Sequence, residues 1–183
     1  LAFILGENLE YTMIQTTRAL KDVTEAYGQQ YHAAAVGEVN VVAEMKRTHS
    51  VIGGEGNGGV IYPESHYGRD ALVGVGLFLS HYVAQSKKMT ELKSTYPPYF
   101  ISKNKMTLSP DMDVDKILEG LKERYATEKV TDIDGVKIDF AQGWVHLRKS
   151  NTEPIIRIYS EAKDEAAANQ LAEEVIAAAK STL

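Results

Sequence analysis

Between residues 129 and 160 the chain repeats one pattern, in which short runs of alternating apolar and polar side chains are separated by turns containing glycine. The runs are Lys129 to Thr131, Val136 to Phe140, Trp144 to Arg148 and Ile155 to Ser160, and Asp134-Gly135 and Gln142-Gly143 mark two of the turns. A period of two puts successive side chains on opposite faces of a strand, and connections this short join antiparallel neighbours. The segment is thereby committed to a mainly antiparallel sheet. Before it, Asp113 to Tyr125 carries Val114, Ile117, Leu118 and Leu121 at helical spacing; after it, Asp164 to about Lys180 offers Ala168, Leu171, Val175 and Ile176 as a face to bury. Strands in series with flanking helices predict a small α+β domain.

The preceding part follows a different rule. Tyr11 to Thr16 reads as a strand, and Thr17 caps a helix through Arg18, Leu20, Val23 and Ala26 that Gly28 ends. An extended piece from Gln30 to Ala34 leads through Val36-Gly37-Glu38 to Val39, Val42, Ala43 and Met45 at helical spacing. Val51-Ile52 reads as a strand; then come Gly53-Gly54-Glu55-Gly56-Asn57-Gly58-Gly59, a strand Val60-Ile61-Tyr62 and a polar turn from His66 to Asp70. Asp70 can cap a helix bearing Ala71, Leu72, Val75, Leu77, Phe78 and Val83, apolar on most sides and so expected to lie buried between layers. A shorter helix from Thr90 to Ser94 stops before Pro97-Pro98, where the fixed φ and missing amide break regular structure. Alternating strand and helix predict an α/β domain with a mixed sheet. The expected domains are residues 1–97 and 111–183 with 98–110 as hinge, although Tyr99 to Leu108 also reads as a strand of the second domain.

Composition narrows the partners. A hydrophobic fraction of 44% over 183 residues suits a globular chain, while 20 Lys and Arg against 25 Asp and Glu, with no basic run, argue against nucleic acid. The chain has no cysteine, which removes disulfides and thiolate chemistry and makes a cytoplasmic location the expectation. No apolar stretch approaches the ~18 residues that span a bilayer, so no membrane is expected. The chain opens on Leu1-Ala2-Phe3-Ile4-Leu5 rather than on Met and reads as a piece of a longer protein. Its five histidines lack the spacing of a metal site.

The strongest chemical signal is Arg148-Lys149-Ser150-Asn151-Thr152-Glu153-Pro154-Ile155-Ile156-Arg157. Alternation turns Val145 and Leu147 one way and His146 and Arg148 the other, with Ile156 and Ile158 opposing Arg157 and Tyr159 on the return strand. Two guanidinium groups can then converge on one mouth, with hydroxyl, amide and turn N–H donors between them. Such a cup suits a phosphate dianion, whose oxygens guanidinium forks take in pairs. A plain polar hairpin with solvated arginines would share this composition. The glycine cluster likewise reads either as a flexible turn or as backbone brought close to a ligand, with Glu55 and Asn57 projecting polar ends. It lacks the Lys-Ser/Thr ending of a P-loop and the spacing of a dinucleotide fingerprint.

The loop from Arg148 to Pro154, with Arg157 and Tyr159 after it, resembles the phosphate-binding loop of the α-D-phosphohexomutases, the family of phosphoglucomutase, phosphomannomutase and phosphoglucosamine mutase. The resemblance implies that Arg148, Ser150, Asn151, Thr152 and Arg157 hold the phosphate that is not being transferred. Gly54 to Gly59 is similar to the family's sugar-binding loop, Gly-Glu-x-Ser-Gly, with Glu55 at the hydroxyl-reading position and Asn57 in place of serine. Val36-Gly37-Glu38 resembles a segment that orients the sugar, so Val36, Gly37, Glu38, Glu55, Asn57 and Gly58 are the implied sugar-binding residues. The chain would then be the family's third and fourth domains, with a hinge that lets the smaller one close. A phosphoserine and a magnesium loop of aspartates would belong to the protein's own N-terminal catalytic domains, since no Ser-His-Asn-Pro and no Asp-Gly-Asp occurs here. The implied ligands are a hexose phosphate substrate and a hexose 1,6-bisphosphate intermediate, with Mg2+ in the full-length enzyme. This part is expected to bind without turning over; a sugar-phosphate sensor, an interaction module or a ligand-free structural domain are the competing readings.

Overall fold

The computed structural model describes residues 11–12, 17–109, 112–150 and 152–182, the first two by their backbone alone. Contacts divide the chain into two units, Leu1–Pro98 and Tyr99–Leu183. No helix among the described residues is long and apolar enough to cross a membrane.

In the first unit β1 (Tyr11–Thr12) and β2 (Tyr31–His32) form a parallel pair. Residues 13–16 of the strand expected at Tyr11 to Thr16 lie outside the described residues. Parallel neighbours need a crossover, and α1 (Arg18–Ala26) supplies it, with the Thr17 hydroxyl oxygen accepting from the Ala19 N–H at 3.2 Å. Helix α2 (Glu38–Thr48) follows and turns Val41 and Met45 into a buried cluster with Ala34 and Ile61. Three short strands, β3 (Gly53–Gly54), β4 (Val60–Tyr62) and β5 (His66–Arg69), make an antiparallel sheet in that order. Helix α3 (Ala71–Gln85) begins where the Asp70 carboxylate accepts from the Leu72 and Val73 N–H groups at 2.8 and 3.0 Å, and α4 (Met89–Ser94) closes the unit.

Three local expectations need correction. The strand expected at Val51-Ile52 lies one step later, at Gly53 and Gly54, which pair with Ile61 and Val60; Ile52 instead plugs the core at 1% exposure. His66 to Arg69 is a strand and not a polar turn, because an edge strand with a solvated face tolerates polar side chains. Helix α3 buries none of its residues, and Leu72 and Val83 are largely exposed. A helix apolar all round is covered only where it has neighbours, and α3 has β4 along one side and α4 near its end.

In the second unit β6 (Phe100–Thr107), β7 (Lys129–Thr131), β8 (Val136–Asp139), β9 (Gly143–Lys149) and β10 (Ile155–Ala162) form an antiparallel sheet in the order β6-β10-β9-β8-β7. Residues 100–107, readable as hinge or as strand, pair with β10 along its whole length. Helices α5 (Val114–Arg124) and α6 (Glu165–Ser181) cover one face. There Ile117, Leu121, Leu171 and Val175 pack with Val136, Ile138, Val145, Leu147, Ile156 and Ile158 in one core. That fixes the register of β9 and β10, since a slip by one residue would turn Ile156 and Ile158 outward. The other face is left to Arg148, Arg157, His146 and Tyr159.

The turn between β7 and β8 presses on β9. Gly135 has φ +75°, and a Cβ there would lie 2.1 Å from the Leu147 carbonyl oxygen. Gly58 in the first unit also has positive φ, +92°, but nothing within 4 Å. Gly135→Ala is therefore expected to cost more than about 2 kcal/mol and Gly58→Ala about 1 kcal/mol, read from urea unfolding midpoints. Equal small losses would mean that the Gly135 turn does not bear on β9.

Candidate functional site

The β9–β10 register places Arg148 directly opposite Arg157, and His146 opposite Tyr159. Like charges facing each other across neighbouring strands repel. Each arginine has a carboxylate partner: Arg148 Nη1 donates to Asp134 Oδ2 at 3.2 Å, and Arg157 Nη2 to Glu153 Oε2 at 3.0 Å. The Arg148 Nε is buried with no hydrogen-bond partner among the described residues.

The connecting turn is held by its own backbone. Ser150 N–H donates to the Ile155 carbonyl at 3.0 Å, Ile155 N–H to that of Glu153 at 2.8 Å, and Leu108 N–H ties the Pro154 carbonyl to the end of β6 at 2.9 Å. Ser150 is buried, and its hydroxyl oxygen lies 3.4 Å from both the Thr152 N–H nitrogen and the Thr152 hydroxyl. Arg148, Ser150, Thr152 and Arg157 thus share one turn and its two strands. Asn151 lies outside the described residues.

The first unit carries a second polar cluster. Gly58 N–H closes the glycine turn onto the Glu55 carbonyl at 2.9 Å, and Gly59 N–H donates to Asn57 Oδ1 at 2.9 Å. Arg69, at the end of β5, donates through Nε to Glu38 Oε2 at 2.8 Å and through Nη1 to Glu55 Oε2 at 3.0 Å. Asn57 Nδ2 also donates to Glu55 Oε2, at 3.1 Å. The hydrogen bond that Arg69 donates to Glu38, then the charges of Glu38 and Glu55, push the Arg69 pKa up, so its charge is secure. Glu38, Asn57, Gly58, Gly59, Gly68, Arg69 and Ala71 line a cavity of about 540 Å³. Val36 and Gly37 are placed differently: Gly37 is the residue before α2, and the Val36 carbonyl accepts from Asn40 Nδ2 at 2.9 Å. The Glu55 side chain lies beneath the turn at 8% exposure. His66 sits nearby, with Nε2 3.1 Å from Asp70 Oδ2. Among the described residues no group of three His, Asp or Glu side chains could hold a metal ion.

Residues 7–99 match the family described as Phosphoglucomutase/phosphomannomutase, alpha/beta/alpha domain III, and residues 103–178 match Phosphoglucomutase/phosphomannomutase, C-terminal domain. The chain belongs to the α-D-phosphohexomutase family. It is 35% identical over 166 residues to a phosphoglucosamine/phosphogalactosamine mutase of Sulfurisphaera tokodaii, a match covering 90% of this chain and 36% of that protein. It is 37% identical over 170 residues to a phosphoglucomutase/phosphomannomutase of Thermococcus kodakarensis, covering 92% of this chain and 37% of that one. The chain thus spans little more than a third of these relatives. A solved phosphoglucomutase/phosphomannomutase family protein of Burkholderia thailandensis shares the fold, with a TM-score of 0.77 at 22% identity, covering 99% of this chain and 39% of that chain.

Two residues of this phosphohexomutase chain escape a reading of its sequence as candidate ligands. Arg69 is separated from its partners by 31 and 14 residues, and the useful signal was charge balance: two candidate carboxylates need a cation nearby. Asp134 reads in the sequence only as half of an Asp-Gly turn, yet its carboxylate accepts from Arg148.

His146 stands behind Arg148, with its Nε2–H donating to the Asp134 carbonyl. It is 1% exposed, and burial pushes its pKa down, outweighing the opposing pull of Asp134. The folded state therefore binds fewer protons here than the unfolded chain. His146 contributes stability that is present above the unfolded value of about 6.5 and lost as pH falls through its lower folded value. Unfolding midpoints of the wild type should drop more steeply between about pH 7 and pH 5.5 than those of His146→Gln; parallel profiles would show that His146 titrates normally.

Proposed function

We propose that this chain is the substrate-holding part of a phosphohexomutase that interconverts hexose 1-phosphate and hexose 6-phosphate through a bisphosphorylated sugar. The reading rests above all on the facing arginines Arg148 and Arg157 at a turn rich in hydroxyl and N–H donors. A phosphate dianion there meets two planar forks, the free Arg148 Nε and the Ser150 and Thr152 hydroxyls. Asn151 belongs to the same loop in sequence and is proposed as a further donor.

Glu38, Asn57 and Gly58 line the cavity of the first unit, and Glu55 is paired with Arg69, which also lines it. Carboxylates that accept from sugar hydroxyls, and an amide that both donates and accepts, would read the hexose, with Val36 and Gly37 setting where Glu38 starts its helix. The names of the relatives support a glucosamine, glucose or mannose phosphate as substrate. Fixing the distal phosphate and the ring orients the opposite oxygen, which supplies rate through positioning. The phosphoryl donor and the Mg2+ that neutralises charge in transfer would be supplied by further domains, and the chain alone would bind without turning over.

Titrating glucosamine 6-phosphate or glucose 6-phosphate into the isotopically labelled chain tests this. Saturable amide shifts are expected at Ser150 and Thr152 and, in the first unit, from Glu55 to Gly59. A chain whose Ser150 and Thr152 amides stay still at millimolar ligand would rule out the phosphate grip.

A further inference from the structure

Resting on that reading, we infer that Glu153 is an internal stand-in for the phosphate, a carboxylate that neutralises Arg157 in the empty loop and must leave when the ligand arrives. The two facing arginines carry a charge of about +2, and Asp134 and Glu153 supply about −2, the charge of a phosphate dianion. If both carboxylates stayed in place, an incoming dianion would find both guanidinium groups already paired, with Lys105, the β6 neighbour of Arg157, as the nearest further cation in the register. One of them has to yield.

The surroundings of the two carboxylates choose which. Asp134 is 24% exposed, precedes the Gly135 turn jammed against β9, and offers its carbonyl to the buried His146. Glu153 is 53% exposed and lies on the turn, where its carboxylate accepts from Arg157 Nη2. Swinging Glu153 into water costs little, because exposed ion pairs contribute little. Asp134 then stays to orient Arg148, while Glu153 gives up Arg157. Glu153 does not touch the ligand; it acts through Arg157 as a positioning residue that keeps the empty cup ordered and lowers its affinity. A site that must release and regrip a phosphate as a bisphosphorylated sugar turns around is served by such a competitor.

Inorganic phosphate titrated into the full chain, followed at the Ser150 and Thr152 amides, measures the effect. Glu153→Gln and Glu153→Ala are expected to tighten phosphate binding roughly two- to five-fold. Glu153→Asp, which keeps the charge, should stay near the wild type, a rescue that a merely structural role would not produce. Asp134→Asn should weaken binding by loosening Arg148. Glu153→Gln binding equal to or weaker than wild type would overturn the inference and leave the phosphate reading intact, as would tighter binding by Asp134→Asn than by Glu153→Gln. A wild-type chain whose amides do not respond to phosphate would overturn both.

Discussion

Two arginines that face each other on adjacent strands repel, and much of the second unit can be understood as what makes Arg148 and Arg157 tolerable there. Their register is set from the opposite face, where Val145, Leu147, Ile156 and Ile158 must all point at α5 and α6. Hydrophobic burial there far exceeds the repulsion of two partly exposed charges, so the core decides and the charges adapt. Asp134 and Glu153 then supply the missing negative charge, one from the β7–β8 turn and one from the β9–β10 turn. An anion is the natural replacement for a carboxylate in such a place.

The first unit inverts this arrangement. There a single cation, Arg69, lies between two carboxylates, Glu38 and Glu55, and the three together carry net negative charge beside a cavity lined by backbone of the glycine turn. Acceptors thus gather in the first unit's cluster and donors at the second unit's turn.

Much of the second unit was readable in the sequence because its strands alternate cleanly and its turns carry glycine. Alternation failed where side chains gave no signal: β3 is two glycines, and β5 is His66-Tyr67-Gly68-Arg69, which looks like a turn. Apolar composition marked α3 as a helix but could not say how many neighbours would cover it, and Leu72 and Val83 remain exposed. The turn from Arg148 to Arg157 was legible as a local motif. The partners that tune it were not, since Asp134 reaches Arg148 across 14 residues and Arg69 reaches Glu38 across 31. Local spacing reveals donors, whereas the counter-charges that hold them come from the fold.

The pairing of Arg148 with Arg157 is tested most directly by a double-mutant cycle, with inorganic phosphate titrated calorimetrically into the wild type, Arg148→Met, Arg157→Met and the double variant. If the two guanidinium groups grip one anion, each single variant loses about tenfold or more in affinity, and the double loses less than the product of the two. Wild-type affinity in either single variant would contradict the arginine grip.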